Sequence, residues 1–199
     1  MQTHTVDKKQ IDESGRYIGS VDLSDWQGHI EIEADLGTII FYSLKASGQI
    51  CAKDGSGIAA GGRIAAGGGI KAGESIEAGC GIKAGESIEA GCGIKAGGGI
   101  KAGESIEAGD GILCQLGLKC TMTLSFKYGL YVGACTWRET SEADRKAICG
   151  RLDADPALVK LGEVVETGMP EQTIEIDGVQ YSAEQVRERI AELKPVQDK

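Results

Sequence analysis

The sequence predicts a mainly β protein built on a single-stranded parallel β-helix (a β-solenoid), with a small α+β region at its C-terminal end. Three observations carry this expectation: an aliphatic residue at every sixth position, a small residue two places after it, and glycine next. Ten isoleucines stand at strict intervals of six from Ile58 to Ile112, and Leu118, Leu124 and Leu130 continue the register. From Leu44 the chain divides into hexads such as IAAGGR, IKAGES and IEAGCG, and only the unit ICAKDGSG at 50–57 is longer, by two residues.

A helix cannot use this pattern. Six residues turn an α-helix through about 600°, so successive isoleucines would spiral around its surface. Each interior glycine would also cost about 1 kcal/mol against alanine. A strand uses it directly, because the first and third residues of I-x-A share a face. Ile58 and Ala60, and each equivalent pair to Ile106 and Ala108, are therefore expected inside. Gly61, Gly67, Gly73 and their equivalents to Gly109 are expected to make the corners through positive φ. The residues between, among them Lys71, Glu77, Lys83, Glu89, Lys95, Lys101 and Glu107, should face solvent. A buried isoleucine contributes roughly 1.5–3 kcal/mol, and this offsets the ordering of a glycine-rich chain only if neighbouring coils stack.

Two coil shapes fit a hexad. Three units per turn give a triangular prism of about five turns, roughly 24 Å long; two give a flatter, longer coil. The triangle is favoured because each side then supplies one large and one small inward residue. Handedness is left open. The expected organisation is an N-terminal region of strands and cap over 1–43, the solenoid over 44–133, and a C-terminal helix, β-hairpin and helix over 134–199.

A solenoid needs its two ends covered. At the N-terminal end HIEIEADL, residues 29–36, alternates like a first irregular coil, and Trp26, Phe41 and Tyr42 are bulky enough to plug it. At the other end Cys114, Cys120, Phe126 and Val132 replace the inward alanine. Leu113, Leu116, Met122, Tyr128 and Tyr131 appear where polar residues or glycine stood before, and form a candidate interface. Following chain or a second subunit should cover them. Thr140 or Ser141 could cap a helix over SEADRKAIC, with Gly150 as its stop. Asp177-Gly178 within TIEIDGVQY is a hairpin turn signal. Ser182 and Gln185 resemble a capping box before a helix whose apolar stripe is Val186, Ile190 and Leu193, which complete the candidate interface.

The formal net charge is −9, which disfavours a general nucleic-acid binder. The charge is uneven: residues 58–133 carry seven basic and seven acidic side chains, residues 1–57 five and nine, and residues 134–199 nine and fourteen. An electrostatic partner of the flanks would therefore be basic. In a triangular coil Lys45, Lys83, Lys101 and Lys119 fall on one face as a candidate basic stripe. Met1–Gln10 is polar and the apolar runs are short, so neither a signal peptide nor a membrane span is expected. The seven cysteines include no C-x-x-C pair and read as reduced thiols in a cytoplasm.

No constellation of residues points to catalysis. Cys80 and Cys92 are expected at equivalent corner positions, without the neighbouring ligands that zinc needs. GGGIKAGES only imitates a phosphate loop. Cys135 beside Trp137 and Arg138 forms no recognisable nucleophile site. No catalytic, cofactor or metal residues are assigned.

Hexads of this kind resemble those of the hexapeptide acyltransferases, whose left-handed β-helix has an aliphatic residue every six. In that family the small inward residue precedes the aliphatic by two. Here those places hold Glu74, Glu86, Glu104 and Asp110, and the only histidines, His4 and His29, lie outside the hexads. Acyl transfer is the least favoured reading. The I-x-A-G run over roughly 44–133 resembles the bactofilins, which implies self-assembly into filaments. TIEIDGVQYSAEQVRERIAELK resembles a hairpin-helix tail of small phage and prophage proteins, which implies action in a bacterial host cytoplasm, for example as an inhibitor of a defence system. The favoured expectation is a rigid, non-enzymatic scaffold, dimeric or otherwise homo-oligomeric, that binds a protein partner. A self-assembling structural protein is the alternative.

Overall fold

The computed structural model describes residues 1–170, together with the backbone of 173–176 and 179–182. Two units are distinct, Met1–Gly168 and Met169–Lys199.

The first unit is a β-solenoid of three parallel sheets. Sheet one stacks Gln2–Val6, Gly28–Ile32, Ile50–Ala52, Ile70–Ala72, Ile88–Ala90, Ile106–Ala108, Thr123–Phe126 and Arg151–Asp153. Sheet two stacks Gly37–Phe41, Ser56–Ala60, Ile76–Ala78, Ile94–Ala96, Ile112–Cys114, Leu130–Val132 and Val159–Leu161. Sheet three stacks Leu44–Ala46, Ile64–Ala66, Ile82–Ala84, Ile100–Lys101, Leu118–Lys119, Lys146–Cys149 and Glu163–Glu166. The partners Ile64, Ile82 and Ile100 show one coil to be 18 residues, or three hexads. The triangular coil is thus the one the chain adopts. Its eight rungs in sheet one span about 34 Å. The coil extends beyond 44–133 in both directions, from Gln2 to Glu166.

The core is the expected column. Ile58 through Ile112, Leu118, Leu124 and Leu130 are buried, with the alanines beside them and with Cys114, Cys120, Phe126 and Val132 further along. The corner glycines work differently from the expectation. None from Gly61 to Gly109 has positive φ; that conformation is found in irregular segments, at glycines such as Gly37, Gly55 and Gly133 and at Asp35. They are small because coils touch there. A Cβ at Gly79, Gly85, Gly91, Gly97, Gly103 or Gly109 would overlap the carbonyl oxygen of the glycine one coil before.

The two-residue excess at 50–57 is held by Ser56, the only buried polar side chain among the described residues. Its hydroxyl donates to the Glu33 carbonyl (2.7 Å) and accepts from the Leu36 amide (3.0 Å), tying the bulge to the irregular first coil.

At the N-terminal end, residues 7–27 close the coil. Tyr17 and Gly15 bond the free edge at Ile40, and Leu23 and Trp26 bond the one at Lys45 and Ser47. Leu23 and Phe41 are buried, with Tyr17 and Trp26 packed against the core. Tyr42 is no plug: it is 91% exposed, because it follows the inward Phe41 and points out at a corner.

At the C-terminal end the helix expected over 141–149 is replaced. A 3₁₀ turn at Ala143–Arg145 leads into the strand Lys146–Cys149. Alternation decides this: Ala147 and Cys149 point inward and are buried, and the strand pairs with Leu118–Lys119, whose edge would otherwise be bare. Arg138 grips Asp144 through two bonds of 3.0 Å and holds the preceding loop. In the last coil Leu152, Leu158, Val159 and Val164 are only partly buried.

In the second unit Thr173–Ile176 and Val179–Ser182 pair antiparallel, with Ile176 opposite Val179. The Asp177-Gly178 turn signal and the stripe of Val186, Ile190 and Leu193 lie outside the described residues.

Candidate binding groove

An 18-residue coil sorts the outward residues into columns parallel to the solenoid axis. Three columns build a groove beside sheet two. Its floor is Ser75, Gly93, Gly111 and Gly129, in successive coils. One wall is Asp110 and Tyr128, the last two of a corner column, Glu74, Cys92, Asp110 and Tyr128, linked in steps by backbone bonds from Cys92 to Glu74, Asp110 to Cys92 and Tyr128 to Asp110. The other wall is the outward column Glu77, Lys95, Leu113 and Tyr131.

The floor stays low because its residues are small. Carbonyls of Ser75, Gly93, Gly111 and Gly129 accept the amides of Ile58, Ile76, Ile94 and Ile112 at 2.9–3.0 Å. At the last rung the Tyr131 ring stands beside Gly129. A Cβ there would come within 3.1 Å of Tyr131 Cε2, so glycine leaves the ring its room. Tyr131 remains 42% exposed and Tyr128 69% exposed. Leu161, the register partner of Tyr131, extends the apolar strip. The groove is shallow and open, with a volume of about 480 Å³.

Of the candidate interface residues, the structure brings Leu113, Tyr128 and Tyr131 together at this groove. It separates Leu116, at the corner between sheets two and three, and Met122, at the corner between sheets three and one. The following coil covers the open core but leaves both tyrosines in solvent.

The basic column is on sheet three, in the order Lys45, Ala65, Lys83, Lys101, Lys119. Lys45 is paired with Asp25 at 2.6 Å, whereas Lys83, Lys101 and Lys119 have no ion pair among the described residues. On sheet one the outward charges alternate in part, and Lys71 meets Glu89 at 2.7 Å.

The cysteines divide by environment. Cys80 and Cys92 share a hexad position but not a corner, since 12 residues are two-thirds of a coil. Cys114, Cys120 and Cys149 are buried. Burial pushes the Cys114 and Cys120 thiols up to about 12. The described residues contain no cluster of three or more His, Cys, Asp or Glu placed to hold a metal. Both histidines serve the N-terminal closure: His29 Nδ1 accepts from the Gln49 amide at 3.1 Å, and His4 Nε2 lies 3.2 Å from the Tyr17 hydroxyl. No described helix is long and apolar enough to cross a membrane.

No family model, no curated protein and no solved structure matches the chain.

Proposed function

We propose that this protein is a rigid, non-enzymatic scaffold that binds another macromolecule along the groove beside sheet two. The observation that supports this is the exposed pair Tyr128 and Tyr131, standing with Leu113 at the end of columns that are otherwise charged or small. Exposed aromatics lining a groove with a few polar groups are what a recognition surface requires. The solenoid supplies rigidity, because each rung is bonded to its neighbours on both sides. The test is a photo-crosslinking amino acid placed at Tyr131, and in a second variant at Tyr42, in the full chain within the cells that express it. Discrete adducts at position 131 and none at 42 are expected. No adduct at 131 would overturn the reading.

A second reading, self-assembly, is favoured by one observation. Among the described residues the strands Arg151–Asp153, Val159–Leu161 and Glu163–Glu166 end their sheets, whereas residues 7–27 close two of the three edges at the other end. An open strand edge templates pairing with another chain. Light scattering at two concentrations, on the full chain and on a chain ending at residue 168, tests it. Species growing with concentration support assembly; a monomer in both removes it.

A further inference from the structure

We infer that the groove takes an uncharged linear oligosaccharide, its pyranose rings stacked on Tyr131 and Tyr128 and its hydroxyls bonded by Glu77, Asp110 and Lys95. This rests on the binding reading above and names the ligand class.

Backbone bonding argues first. A peptide that binds as an added strand needs a free edge. The groove floor has none: its carbonyls already accept the isoleucine amides of the preceding coil. Recognition therefore falls to side chains. Tyr131 stands beside Gly129 and is 42% exposed. A flat, rigid apolar face beside polar groups suits a ligand with one C–H face and a polar rim. A pyranose ring is such a ligand.

The polar set agrees. Glu77 and Asp110 offer carboxylate acceptors and Lys95 three ammonium donors, all lining the same groove. Lys127 adjoins Tyr128 in the chain, and Lys160 reaches Gly129 with its stem while its ammonium donates to the Ala157 carbonyl. Charges of both signs therefore surround the platform. A polyanion meets two carboxylates and a polycation meets three ammoniums, whereas hydroxyls can donate to the one and accept from the other. The columns run along the solenoid axis for four rungs, about 14 Å, and the groove is open at its surface. That favours a short linear chain over a compact ligand.

The experiment is saturation-transfer NMR on the full-length protein with cellohexaose, maltohexaose and chitohexaose, followed by a printed glycan array. At least one oligosaccharide is expected to take up saturation from tyrosine ring protons. Its affinity should fall at least tenfold in Tyr131→Ala and in Tyr128→Ala, and stay unchanged in Tyr42→Ala. Tyr128→Ala keeps the test sound if Tyr131→Ala fails to fold, because Tyr128 is the more exposed. Absence of binding to every glycan, or binding indifferent to both substitutions, would overturn the inference. Crosslinking at 131 to an unglycosylated protein, with no sugar bound, would sink the oligosaccharide and leave the scaffold reading standing; failure of both experiments would remove both.

Discussion

The carbonyl oxygen of Gly85 occupies the space that a Cβ at position 103 would need. The same overlap repeats at each regular corner, so coil spacing and side-chain size are tied together there. Gly103→Ala forces backbone apart rather than a flexible side chain aside, and should cost about 1–3 kcal/mol or more. Gly61→Ala is the control. Its nearest neighbour would be the Tyr42 carbonyl at 3.8 Å, so the change should be neutral or slightly stabilising. Thermal melts of the two variants check this; equal melting temperatures would refute the packing account.

Ser56→Ala removes a hydroxyl that serves two backbone groups, the Glu33 carbonyl and the Leu36 amide. Leaving buried polar groups unpaired costs about 1–3 kcal/mol. Ser47→Ala, at an exposed corner, should change stability little. Urea unfolding should show a lower midpoint for the first variant at unchanged slope.

Lys83, Lys101 and Lys119 stand on consecutive rungs, about 4.8 Å apart along the axis. Like charges placed opposite one another destabilise a sheet by a few tenths to about 1 kcal/mol. Lys101→Gln should therefore raise the melting temperature at low salt, and the gain should shrink in 1 M salt. Lys71→Gln should do the reverse, because Lys71 is paired with Glu89. The sign of each shift at 20 mM salt decides the matter.

Thiol reactivity should follow burial. Cys80 is exposed, whereas Cys114, Cys120 and Cys149 are buried. With Cys114 and Cys120 raised to about 12, raising the pH from 7 to 10 should ionise neither, and both should resist alkylation across that range while Cys80 reacts readily. Mass spectrometry after timed alkylation, native and in denaturant, reads this directly. Rapid native labelling of Cys114 would contradict the packing of the core.

Much of this architecture was legible in the isoleucine spacing, and the I-x-A alternation placed nearly every core residue. Four things were not. The hexad alone does not say how many units close a coil, and that number decides which outward residues become neighbours. The basic column on Lys45, Lys83, Lys101 and Lys119 followed from assuming three. The groove was missed because nothing in a single hexad marks Ser75, Gly93, Gly111 and Gly129 as a continuous floor. The strand at Lys146–Cys149 was hidden by the irregular loop before it, after which A-I-C carries the alternation without the hexad. The corner glycines were assigned the wrong cause, since contact between coils is a property of stacking that one hexad cannot display.

The closure of the coil by residues 7–27 also bears on how the protein is made. A chain is made from its N-terminal side onward, so residues 7–27 and the strands they bond, as far as Ser47, are made before the coils that follow. From then on each new 18-residue stretch meets a finished edge in the right register, and the template is always on the side where fresh chain arrives. Synthesis and folding thus advance in the same direction, one coil at a time.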